Sequence, residues 1–155
     1  MVGDAFVEEM PPWHGMHVGP PYLGAALICQ TVFEDAPGLT DVLHIHATTL
    51  IAVSPGQEKT TIATEGGHLF LWLRMYAADA PGDYELDVRF FSPSGLRLAR
   101  QAATCTLTAD GVSAVIPIAQ LTTVERGIHY FEIGLDDRLV TKVPYQIDIV
   151  EAGAA

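Results

Sequence analysis

Between Asp83 and Phe91 polar and apolar residues alternate without a break. Tyr84, Leu86, Val88 and Phe90 fall on one parity, and Asp83, Glu85, Asp87 and Arg89 on the other. Side chains of an extended chain point alternately to opposite faces, so this is the pattern of a strand with one buried and one wet face. Apolar, β-branched runs of similar length recur along the chain. They predict strands at Tyr22–Phe33, Asp41–Val53, His68–Ala78, Leu96–Leu107, Val112–Ala119, Gly127–Leu135 and Leu139–Val150, besides Asp83–Phe91. Turn signals separate them: Asp35-Ala36-Pro37-Gly38, Ser54-Pro55-Gly56, Ala80-Pro81-Gly82, Ser92-Pro93-Ser94-Gly95, Asp110-Gly111 and Asp136-Asp137-Arg138. Gln57–Gly67 reads as a polar loop, and Ala119–Glu125 as a short helix or turn. Pro144 cannot donate to a ladder, so the last strand is expected at an edge, with Lys142 guarding it against edge-to-edge pairing.

About eight strands at this spacing predict an all-β fold, a two-sheet antiparallel β-sandwich of the immunoglobulin-like, Greek-key type. Residues 22–150 form the sandwich and 151–155 a short tail. Residues 1–21 form an extended N-terminal arm, because Pro11, Pro12, Pro20 and Pro21 oppose helix and ladder alike. The arm nevertheless carries Phe6, Met10, Trp13, Met16 and Val18. A solvated tail does not need such residues, so the arm is expected to dock on its own domain or on a neighbour.

The strand at 68–76 is apolar on both faces. Leu69, Leu71, Leu73 and Met75 suit a core. Phe70, Trp72, Arg74 and Tyr76 have the aromatic and arginine composition enriched at protein interfaces. That second face is expected to be covered, within the chain or by a partner. In the preceding strand His44, His46 and Thr48 alternate with Leu43, Ile45 and Ala47, which puts both histidines on an outer face. Histidine titrates near pH 6.5, so association through such a face would depend on pH.

Composition narrows the function. The 155 residues are 49% hydrophobic and 17% charged, with a net charge of -11. That charge opposes a phosphate backbone and an anionic membrane surface, so neither nucleic acid nor membrane is an expected partner. No run reaches the roughly 18 apolar residues of a membrane span. Asp4, Glu8 and Glu9 stand where a signal peptide needs positive charge, so a cytoplasmic location is expected, with Cys29 and Cys105 as free thiols packed like small hydrophobes.

The chemical motifs are incomplete. His44-Ile45-His46 is a common metal-ligand spacing, and Gly38 followed by His44-x-His46 resembles the opening of the cupin metal motif. The glutamate that motif needs is missing, with Leu50 and Ile51 in its region, and His129 lies in no matching context. His14 and His17 form a second close pair. No nucleophile elbow or phosphate-binding glycine loop is present, and Asp136-Asp137 reads as turn chemistry. Cys29, Trp72 and Cys105 follow the immunoglobulin order, but the Cys-to-Trp spacing is too long and Ala103 replaces the corner tyrosine.

Three stretches carry a family resemblance. Ala26-Leu27-Ile28-Cys29-Gln30 with Gly38 and Val42-Leu43-His44-Ile45 is the first. Gly82 through Arg89 with Pro93 and Gly95 is the second, and Gly127 through Ile133 with Asp136-Asp137 the third. Together they resemble an uncharacterised bacterial family of small β-sandwich proteins over about residues 22–150. Gln30 stands in place of the usual acid, and His44 and His46 occupy positions that vary. The resemblance implies a fold and no activity.

The expected function is therefore a non-catalytic protein-binding or assembly module without a cofactor. Its partner is another protein or a second copy, met through Phe6, Trp13, Met16, Phe70, Trp72, Arg74 and Tyr76. One alternative is a metal-dependent, cupin-like protein using His44 and His46. A weaker one is a small-ligand or carbohydrate site stacking on Trp13 or Trp72.

Overall fold

A computed structural model describes residues 12–36, 39–45, 48–53, 60–62, 70–118, 121–123 and 125–151. The alternating segment forms β6 (Gly82–Phe91), and its apolar parity, Leu86, Val88 and Phe90, is buried as the pattern requires. β6 pairs on one side with β7 (Arg97–Leu107) and on the other with β10 (Gly127–Leu135). β11 (Arg138–Glu151) and β3 (Thr48–Val53) complete a five-stranded sheet in the order β3-β11-β10-β6-β7. The second sheet has the order β2-β1-β5-β8, from β1 (Tyr22–Ala36), β2 (Leu39–Ile45), β5 (Phe70–Tyr76) and β8 (Val112–Pro117). All neighbours are antiparallel except β11 and β3.

The core lies between these sheets. Ile28, Leu71, Leu73 and Met75 from one meet Phe90, Phe131, Ile133, Tyr145 and Ile147 from the other. Each such side chain contributes about 1.5–3 kcal/mol when withdrawn from water. The protein is thus an all-β, two-sheet sandwich.

Three sequence expectations are corrected. The single strand expected over Asp41–Val53 is two strands in opposite sheets, β2 against β1 and β3 parallel to β11. By crossing between layers, one apolar run covers an edge of each. The polar loop Gln57–Gly67 contains β4 (Thr60–Ile62), and the short helix or turn expected over Ala119–Glu125 contains β9 (Leu121–Thr123). These two pair with each other, Thr61 opposite Thr122. Threonine and isoleucine are β-branched, and that preference outweighs the weak helical pattern. The strands among the described residues therefore number eleven.

Pro144 sits where β11 has no strand on its outer side, since β3 covers only Gln146–Glu151. Asp136 and Asp137, at φ 47° and 64°, make the two-residue turn between β10 and β11. Two positive φ values match the right-handed twist of the flanking strands. Cys29 and Cys105 are free thiols on different sheets, and burial pushes the pKa of both upward. Protonated thiols are poor nucleophiles.

Candidate functional site

The outer side of the five-stranded sheet holds a charged cluster under a tryptophan. Asp87 and Arg89 alternate with core residues of β6 and so point away from the core. They were expected to be wet, yet they are 1% and 2% exposed. Arg89 Nη2 donates to Asp87 Oδ2 at 3.0 Å. Arg100, opposite Arg89 on β7, donates through Nη2 to Asp87 Oδ2 at 2.8 Å and through Nε to Oδ1 at 3.1 Å. Burial alone would push the Asp87 carboxyl up. Hydrogen bonds from Arg100 and Arg89, with their charges, outweigh it and hold the group below the usual carboxylate range.

The N-terminal arm covers this cluster. The Trp13 ring lies over the Arg89 guanidinium at 3.6 Å, and Trp13 Nε1 donates to Glu132 Oε1 at 2.8 Å. Lys142 Nζ steadies the other Glu132 oxygen at 3.1 Å. The ring rests directly on Gly134, where an added Cβ would collide with Trp13 Cζ3. Beyond the tryptophan the arm runs beside the start of β11. His14 N donates to Asp137 O, Leu139 N to Gly15 O and His17 N to Leu139 O, all within 2.9 Å. Met16 and Leu139 form a parallel bridge. The described part of the arm thus docks in cis, and the sheet it covers is not the one that contains Trp72.

Trp72 belongs to the outer side of the four-stranded sheet. Cross-strand rows there read Leu27, Trp72, Val115, then Ala25, Arg74, Ser113, then Tyr22 and Tyr76. The opposite parity of β5, Leu71, Leu73 and Met75, is core as expected. Leu69 and Phe6 lie outside the described residues. Arg74 donates to Ser113 Oγ at 3.2 Å, to Tyr76 OH at 3.4 Å and to the Asp110 carbonyl at 3.4 Å, and its guanidinium stacks 5.2 Å from the Tyr76 ring centre. Tyr76 lies flat over the backbone of Gly24 and Gly111, where an added Cβ would come within 2.7 Å of the ring. Phe70 is half-buried between Cys29 and Pro117. Trp72 is half-buried, and its Nε1 is buried with no hydrogen-bond partner among the described residues. Tyr22, Tyr76 and Val115 are exposed.

The other predicted residues do not converge. The His44 backbone lies in β2, and His46 lies outside the described residues. His14 is exposed, and His17 donates through Nε2 to Pro21 O at 2.8 Å. His129 is buried on β10, stacked 5.4 Å from the Phe90 ring. Among the described residues no three His, Cys, Asp or Glu come together as a metal-holding group. A cleft of about 130 Å³ opens between β7 and β8, lined by Leu71, Val88, Phe90, Ile116 and Phe131, and neither tryptophan reaches it. Among the described residues no helix is long and apolar enough to cross a membrane.

Asp87, Arg89, Arg100, Glu132 and Gly134 are not apparent as one site from the sequence pattern. The usable signal was the pairing of Asp87 with Arg89 on one strand face, opposite in charge and two residues apart, in a chain whose arm carried an unplaced tryptophan.

No family model matches the chain, and no curated protein matches it. The chain is similar to a solved structure, an immunoglobulin-like protein from Pseudomonas aeruginosa, at 12% identity and a TM-score of 0.43. The match covers 83% of this chain and 97% of that one. At that degree of overlap the likeness carries nothing about what this chain binds or does.

Proposed function

We propose that this chain is a non-catalytic assembly module that binds a second copy of itself through the outer face of β1, β5 and β8. One observation carries this reading. In a chain of net charge -11, the rows of Leu27, Trp72 and Val115, of Ala25, Arg74 and Ser113, and of Tyr22 and Tyr76 contain no acidic side chain. Self-repulsion between copies is weakest where carboxylates are absent. Aromatic residues and arginine are the groups that anchor protein contacts. Tyr22 and Val115 are 53% and 45% exposed, so the described chain leaves them without cover.

Sedimentation velocity from micromolar to millimolar protein tests the proposal. A rise to twice the monomer mass is expected, and Val115→Glu together with Tyr22→Glu should weaken it about tenfold or more. A strict monomer at the highest concentration removes the self-assembly reading.

A further inference from the structure

We propose that the N-terminal arm exchanges between two copies of this chain, so that Trp13 of each copy fills the socket on the five-stranded sheet of the other. The socket does not depend on the arm's belonging to the same chain. Asp87, itself held by Arg100, anchors Arg89 from below, Lys142 holds Glu132 from the side, and Gly134 leaves the space the ring enters. Every one of these groups lies on β6, β7, β10 or β11. The backbone contacts that seat His14 to His17 likewise end on Asp137 and Leu139. An arm from a second copy would find all the same partners.

Only Val18–Pro21 joins the docked arm to β1. Gly19 bends there at φ 76°, and a side-chain hydrogen bond from His17 to Pro21 O closes the bend. Exchange of an element through a short connecting segment is an economical route to a dimer, because each copy recovers the contacts it gives up. The closed monomer leaves a residue of apolar surface around this segment. Met16 is 56% and Val18 86% exposed, and the exposed Tyr22 continues the patch to Tyr76, its cross-strand partner. Two opened segments running past each other about a two-fold axis would bury Met16, Val18 and Tyr22 in contacts that the closed form lacks. The exchange thus gives a reason for apolar side chains at the outside of the bend.

The inference rests on the assembly reading above but makes a separate claim about its route. Met16 and Leu139 are neighbours in a parallel bridge, about 4.8 Å apart, which is disulfide distance. Met16→Cys with Leu139→Cys, in a Cys29→Ala/Cys105→Ala background, therefore records which chain supplies the arm. After oxidation at a concentration where the unmodified chain sediments as a dimer, most of the protein should run at dimer mass on a non-reducing gel. A sedimenting dimer whose disulfides lie within single chains overturns exchange and leaves assembly standing. A sedimenting monomer overturns both.

A second measurement needs no disulfide. Trp13→Ala keeps the socket without the key, and Gly134→Val keeps the key without the socket. Each alone should dimerise about tenfold or more weakly than the unmodified chain, since only the face of β1, β5 and β8 is left to hold it. Mixed, they should form the heterodimer in preference to either homodimer by native mass spectrometry, and no such preference while the unmodified chain dimerises overturns exchange.

Discussion

Each sheet carries one tryptophan on its outer side, and the two are placed in contrasting ways. Trp13 has its ring on Arg89, its Nε1 on Glu132 and its edge against Gly134. Trp72, between Leu27 and Val115 in one cross-strand row, has its Nε1 buried without a partner among the described residues. Both surfaces join aromatics to arginine, but only the first holds acidic side chains, and only the first is covered. An arm of the chain reaches one face, and there Asp87 and Arg89 beneath it are nearly inaccessible to water. On the other face Tyr22, Tyr76 and Val115 remain exposed. The first face is therefore tied to the stability of the fold through the arm that closes it, whereas the second is left open to contact with another molecule.

The largest expected effect breaks the covered face. Asp87→Ala leaves Arg89 buried beside Arg100 without its counter-charge, and removing one partner of a buried pair costs about 3–5 kcal/mol. That is a large part of a total of about 5–15 kcal/mol. Urea denaturation at neutral pH should record it as a lower midpoint. The pH dependence has a definite sign. Because the folded carboxyl lies below its ordinary value, its stabilising contribution is complete above the unfolded pKa of about 3.9 and is lost as pH falls through the folded one. The unmodified chain should thus lose stability below about pH 4 more steeply than Asp87→Ala.

Trp13→Ala should cost about 2–3 kcal/mol, combining lost apolar burial with the cation–π contact on Arg89. Gly134→Ala sharpens the assignment. Its methyl would occupy the space of the ring, so the two substitutions remove one interaction. In a double-mutant cycle Gly134→Ala should be close to neutral once Trp13 is Ala. Additive costs would mean that Gly134 serves the turn or the sheet instead of the tryptophan.

How far these features were legible follows from the range of the interactions involved. Strict alternation in Asp83–Phe90 marked both the strand and its core parity, because side-chain direction is local. The burial of Asp87 and Arg89 was not legible by the same rule. Alternation places them off the core, but their cover comes from Trp13, more than seventy residues earlier in the chain. The break of Asp41–Val53 into β2 and β3 had no local signature either, since an apolar run looks the same whether it stays in one sheet or feeds two. The aromatic parity of β5 was legible as a surface of unusual composition. Tyr76 lying over Gly24 and Gly111 was not, because those glycines come from β1 and from the turn before β8.

A smaller effect comes from His129, which lies on neither outer face. Burial against Phe90 lowers its pKa, while the Gly127 carbonyl and Glu125 act the other way. The neutral ring is thus the folded form. The contribution of His129 is complete above the unfolded value of about 6.5 and falls with pH below it, by about 1.4 kcal/mol for each pH unit separating the two states. His129→Phe keeps a ring for the Phe90 stack and cannot titrate. Thermal unfolding between about pH 5 and 7 should lose its slope in this variant. A slope that survives would place the titrating group elsewhere.

The smallest effect on stability is expected on the open face, and its smallness is the informative outcome. Val115 is 45% exposed on β8, the edge of its sheet, and a polar residue there removes little buried apolar area. Val115→Glu should shift the urea midpoint by no more than about 0.5 kcal/mol of stability while placing a carboxylate beside the Trp72 row. If two copies meet on this face, the substitution sets like charges opposite each other and lowers dimer affinity about tenfold or more with the monomer fold intact. A loss of several kcal/mol in monomer stability would show instead that the described chain already covers Val115. In that case the contrast between a face closed by the arm and a face left open would fail.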